Sequence, residues 1–165
     1  MWSKLKKKIK ENIVPELQGR IDIHFTRYHS APDEAGEVWI VVDKKKIAGG
    51  SDFNWHVSKF MDDLSVKQRA YREFFLPIIE DQNVLKIMNL GMHYTSHIVG
   101  SLENYINTNY DLCLKANNPI YKAFAIVDRR LGKRRFYKIS ITDHDHDLVK
   151  AFYSLRKGVF DINYE

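Results

Sequence analysis

The sequence predicts an α+β fold, with an N-terminal helix and a three-stranded antiparallel meander followed by a mainly helical C-terminal part. Three observations carry this. From Ile21 to Thr26 apolar and polar side chains alternate at the two-residue period of a half-buried strand, and two further strand-like runs follow by residue 48, separated by turn residues. From about Asn54 onward the apolar period lengthens to that of a helix. Asn118-Pro119 then places a capping residue and a first-turn proline ahead of a well-formed apolar stripe. Strands first and helices afterwards are the segregated order of the α+β class.

Trp2, Leu5, Ile9 and Ile13 step by three and four along one helix face, while Lys4, Lys6, Lys7, Lys8 and Lys10 fill the rest. Pro15 and Gly19 end that helix. Ile21, Ile23 and Phe25 then alternate with Asp22, His24 and Thr26 as a first strand. Pro32, Asp33 and Gly36 form a turn, residues 37–42 a second strand, residues 43–45 a second turn, and residues 46–48 a third strand. A small meander needs a cover over its apolar face, which the first helix and the rest of the chain can supply.

In the helical part, Val57, Phe60, Met61 and Leu64 make one stripe, and Ser65-Val66-Lys67-Gln68 has capping-box spacing. Phe74, Phe75, Ile78 and Ile79 straddle Pro77, which kinks or restarts its helix. Gly91, Gly100 and Asn107-Thr108-Asn109 separate further segments. Behind Asn118, the residues Ile120, Phe124, Val127 and Leu131 step by four, three and four, and Gly132 can close the helix. A competing reading makes 123–127 and 135–141 the arms of a hairpin about Leu131-Gly132, since both runs are rich in β-formers. Residues 143–147 offer caps for a last helix containing Leu148, Phe152 and Leu155. No linker, repeat or low-complexity segment interrupts the chain, so the expectation is one domain over 1–165, with helix and meander in 1–52 and helices in 53–165.

At 165 residues the chain can bury roughly two-thirds of its unfolded surface around one core, without a cofactor. With 44% apolar and 28% charged residues it falls among ordinary globular proteins and outside the disordered class. The net charge of +5 favours an anionic partner without requiring one. A single cysteine, Cys113, allows no internal disulfide and no cysteine-based zinc site, which fits a reducing compartment, with the cytoplasm as the expected location. The basic N-terminus leads into Ile9-Lys10-Glu11-Asn12 rather than an apolar run, so a secretion signal is not expected. No stretch of about 18 apolar residues is present to form a transmembrane helix.

The densest chemistry-bearing cluster is Arg129, Arg130, Lys133, Arg134, Arg135 and Lys138. Guanidinium forks match phosphate oxygens, and neutralising phosphates releases counterions. The same cations also suit a helix end or ion pairs with acids such as Asp128, and Phe136 and Tyr137 beside them either stack on bases or join the core. The lysine-rich first helix could lie on an anionic membrane, but few large apolar residues would anchor it. Asp143-His144-Asp145-His146-Asp147 and the pair His93 and His97 contain metal-ligand types, yet the first is explained as a helix cap and the second lacks the glutamate of His-Glu-x-x-His, so no metal is assigned. Asp33, Asp43 and Lys44 echo a Mg²⁺ nuclease pattern, but the acids fall in turns rather than on a strand. Phosphate loops, nucleophile elbows and cysteine nucleophile arrangements are missing, so no catalytic residue is assigned.

The opening Trp2-Ser3-Lys4-Leu5-Lys6, then Leu17-Gln18-Gly19-Arg20, Val41-Val42-Asp43-Lys44, and the run from Asn118-Pro119 through Val127-Asp128-Arg129-Arg130-Leu131-Gly132-Lys133-Arg134 resemble a family of bacterial hypothetical proteins of similar length. The resemblance covers both ends better than the middle. It implies a single bacterial cytosolic domain and transfers no activity and no catalytic residue. The resulting expectation is a non-enzymatic module that binds another protein, and the alternative is a nucleic-acid or phosphate binder using residues 129–138.

Overall fold

The structure, a computed structural model, describes residues 2–27, 36–52 and 95–162. The helices expected between 54 and 94, the turn at Pro32 and Asp33, and His93 lie outside the described residues. The architecture is α+β. Its contacts group into two compact units, residues 1–22 with 102–165 and residues 23–101.

The first unit is helical. Helix α1 (Trp2–Asn12) buries Leu5 and Ile9, the centre of the stripe read from the sequence, and Ile13 and Val14 continue it into a 3-10 turn at Pro15–Leu17. Beyond α1 the chain pairs locally with a distant segment: Val14 N donates to Val127 O at 3.0 Å and Arg129 N to Asn12 O at 2.7 Å, so Ile13 and Asp128 face each other as an isolated antiparallel bridge. Helix α2 (Thr95–Asn107) enters this unit from Leu102 onward, and α3 (Tyr110–Lys115), α4 (Pro119–Val127), α5 (Lys133–Phe136) and α6 (Asp147–Ile162) follow.

Helix α4 is the unit's centre. The Asn118 side chain accepts from Ile120 N and Tyr121 N, Pro119 occupies the first turn, and seven of the nine helix residues, including every one from Ala123 to Val127, are buried. It packs against α6 and α3. Phe124 bridges Tyr105 of α2 and Phe152 of α6, with ring centroids 5.7 and 5.3 Å away, so three helices share one aromatic contact line. Residues 123–127 and 133–136 are therefore helical, and the two runs are not the arms of a hairpin. Helix α4 does stop at Val127, earlier than the stripe through Leu131 implies, because Asp128 turns extended to form the bridge with Ile13. Gly132 then begins α5 instead of closing α4. Leu131 is still fully buried, and its carbonyl accepts a 2.8 Å bond from buried Arg156 of α6.

The second unit holds the sheet β1 (Ile21–Arg27), β2 (Gly36–Val42), β3 (Lys45–Ser51), in that spatial order, with β1 beginning in the first unit. Ile21 and Ile23 of β1 are buried and Asp22 and His24 are not, as the alternation requires. Central β2 is buried on both faces from Val38 to Val42. It pairs antiparallel with β3 from Glu37↔Ser51 to Val42↔Lys45, with a bulge at Ile40/Val41. The connecting turn is Asp43-Lys44, both at positive φ (47° and 67°), the conformation that matches a two-residue hairpin to strand twist. At the sheet's far end the buried Asp52 carboxylate accepts from Gly36 N at 3.0 Å and Thr95 N at 2.6 Å, thereby capping α2 from outside its own segment.

Candidate partner-binding surface

Asn109 caps the short helix α3 by accepting from Asp111 N at 2.9 Å, and that register decides which side chains face inward. Tyr110 and Cys113 go into the core, whereas Asp111 and Leu112 stay outside. The Tyr110 hydroxyl donates to Ala125 O of α4 at 3.2 Å, which leaves its ring as a platform for two arginines. The Arg130 guanidinium carbon lies 4.9 Å from the ring centroid and that of Arg135 lies 5.3 Å away.

Both guanidinium groups are also held by carboxylates. Asp128 is fully buried; its Oδ1 accepts from Arg130 N (2.8 Å) and Nε (2.9 Å), and its Oδ2 from Arg130 Nη2 (2.6 Å) and the Tyr105 hydroxyl (2.7 Å). Arg135 pairs with Asp111. The hydrogen bond to Asp128 raises the Arg130 pKa, while burial, and then the nearby Asp128 charge, push both the Tyr105 and Tyr110 hydroxyls far above the usual phenol range. Tyr105 and Tyr110 are thereby kept as hydrogen-bond donors.

The remaining cations of the 129–138 cluster divide. Lys133 Nζ donates to Phe160 O near the end of α6, at 3.2 Å, and lies near the Tyr137 and Phe160 rings. The side chains of Arg129, Arg134 and Lys138 are exposed and have no carboxylate partner among the described residues. Phe136 joins the core, stacked on Tyr153 at 4.6 Å, but Tyr137 is 48% exposed. With Leu112, 64% exposed, Tyr137 completes the exposed large hydrophobic side chains among the described residues. Leu112 follows Asp111, which holds Arg135, whereas Tyr137 lies against Phe160 and Lys133 and donates to Asp161. The cations were legible in the sequence; Asp111, Leu112 and the Tyr110 platform were missed, because only the cap at Asn109 hinted at how α3 is turned.

The model of the SF0329 protein family matches residues 1–157. The chain belongs to the SF0329 family. That family has no known activity, as the resemblance implied. No curated protein and no solved structure matches the chain.

Other features of this SF0329 chain have local explanations. In the acid-and-histidine run, His146 Nδ1 accepts from Leu148 N at 3.1 Å as the cap of α6, and Asp145 accepts from Thr142 N and pairs with Lys122. Burial alone would raise the Asp145 pKa, but the bonds from Lys122 and Thr142 outweigh it and the net shift is downward. Among the described residues no group of three or more His, Cys, Asp or Glu side chains is arranged to hold a metal ion. On α1, Lys6 and Lys10 both pair with Asp22, at 2.9 and 3.0 Å, while Leu5 and Ile9 face the core. Among the described residues no helix is long and apolar enough to cross a membrane. Asp43 and Lys44 occupy the hairpin turn, as expected, and Asp33 lies outside the described residues.

Proposed function

We propose that the protein is a binding module whose contact surface for another protein comprises Leu112, Arg130, Arg134, Arg135 and Tyr137. The observation that carries the reading is that Arg130 and Arg135 are both held on the Tyr110 ring, Arg135 by Asp111 next to exposed Leu112, while Tyr137 is the other exposed large hydrophobic side chain among the described residues. Aromatic and arginine side chains are enriched where interfaces carry their binding energy, and side chains ordered before binding lose less entropy on contact. The test is capture of a tagged full-length chain from its own host, after nuclease treatment and a high-salt wash, beside the Leu112→Asp/Tyr137→Asp variant. A partner retained at fixed stoichiometry by the parent and lost by the variant is the expected result. A partner set identical in the two would remove this surface.

A second reading, nucleic-acid or phosphate binding through residues 129–138, is favoured by the exposed Arg129, Arg134 and Lys138, which no carboxylate neutralises among the described residues. It requires affinity that falls steeply with salt and collapses in Arg130→Ala/Arg134→Ala.

A further inference from the structure

We infer that the partner accepted by this surface is an acidic protein segment carrying an apolar anchor residue. The inference rests on the protein-binding reading and adds the partner's chemistry. Charge complementarity sets the sign. Arg129, Arg134 and Lys138 are exposed without a carboxylate among the described residues, and the paired Arg130 and Arg135 remain about half exposed. The surface around the ion pair therefore carries an excess of positive charge that an acidic segment offsets, and opposed potentials of this kind speed encounter and set partner choice.

The distribution of the charges separates a peptide from a nucleic acid. A phosphate backbone would track a continuous row of unpaired cations. Here the Asp111 carboxylate, 59% exposed, lies on Arg135, so a polyphosphate crossing the cluster meets a fixed negative charge inside it. Discrete carboxylates on a peptide can be spaced to avoid that charge and meet the exposed Arg129, Arg134 and Lys138. Leu112 is the most exposed large apolar side chain among the described residues. An aliphatic group offers a base no stacking face, but it can be covered by an apolar peptide side chain. Tyr137 donates its hydroxyl to Asp161 at 3.2 Å, which holds an exposed ring near Lys133.

The experiment is selection of a random peptide display library on the full chain, followed by titration of the selected peptides and of an oligothymidylate of matched net charge. Parent, Leu112→Ala, Tyr137→Ala and Arg134→Ala/Lys138→Ala proteins are compared, with circular dichroism confirming that each is folded. Peptides combining Asp or Glu with a Leu or Phe are expected, with affinity that falls with salt, drops about tenfold in Arg134→Ala/Lys138→Ala, and drops again in Leu112→Ala. The oligothymidylate should bind more weakly and fail to compete. Selected peptides that are neutral or basic, yet still depend on Leu112 and Tyr137, would overturn the acidic partner and leave the binding surface standing. Failure to select any peptide dependent on Leu112 or Tyr137 would overturn both. An oligothymidylate that outcompetes every peptide and is lost in Arg134→Ala/Lys138→Ala would replace them with nucleic-acid binding.

Discussion

The hydroxyl of Tyr105 donates a 2.7 Å hydrogen bond to the fully buried carboxylate of Asp128, which also accepts three bonds from Arg130. The backbone at Asp128 faces Ile13 across the antiparallel bridge, so the loop after α4 is tied to α2 by this side chain and to the segment following α1 by its backbone. Asp128→Ala strands buried donors, and with Arg130 half exposed the cost sits at the low end for a broken buried pair, roughly 3 kcal/mol. Tyr105→Phe leaves the carboxylate its Arg130 donors and should cost about 1 kcal/mol. Urea denaturation of both single variants and the double variant checks this, and strict additivity would contradict a direct bond.

Cys113 lies in the same core, with no exposed surface and with its thiol directed to Tyr105 O at 3.9 Å. Burial pushes its pKa upward, so reagent access and thiolate formation both wait for opening of the helical unit. Labelling with a thiol reagent is expected to be slow in native buffer, fast in urea, and faster in Asp128→Ala than in the parent. Immediate stoichiometric labelling of the folded parent would show that Cys113 does not face the core.

What the chain discloses before folding follows the range of the interactions involved. The stripe of α1 and the Asn118-Pro119 start of α4 are local signals, and both elements form where they indicate. The end of α4 is tertiary: Leu131 keeps the helical step and is buried, but the bridge of Asp128 to Ile13 breaks the helix first. The candidate surface divides the same way. Its cations form a visible run, whereas the carboxylate that orients Arg135 lies 24 residues away on a six-residue helix with almost no pattern of its own. Asp128, only two residues from Arg130, was the one pairing within reach of a local reading.

Gly49 of β3 has no room for a side chain. A Cβ there would lie 2.2 Å from Val38 O and 2.6 Å from a Trp39 ring carbon, a clash with backbone that no rotamer relieves. Gly49→Ala should therefore lower the thermal midpoint markedly by disturbing the β2–β3 pairing. Gly19→Ala, where nothing lies within 4 Å, serves as the control and should leave the midpoint close to the parent's. Equal midpoints for the two variants, measured by circular dichroism, would contradict the strand register at Trp39↔Gly49.

His146 gives the helical unit a pH dependence of definite sign. Its Nδ1 accepts from Leu148 N, which requires the neutral ring, and burial lowers its pKa, with Asp147 opposing that shift and Lys150 adding to it. A folded-state pKa below the unfolded value of about 6.5 means that the unfolded chain binds the proton more readily. The stabilisation is therefore complete above about pH 6.5 and is lost as the pH falls through the window between the unfolded and folded values. Asp145 acts in a separate window: its lowered pKa gives stability that is lost only below about pH 4. His146→Asn retains a capping acceptor that does not titrate, so it should match the parent near pH 7 and exceed it in unfolding free energy near pH 5. Parallel urea titrations at the two pH values measure the difference. Curves that stay superimposed at the lower pH would mean that the imidazole does not cap α6.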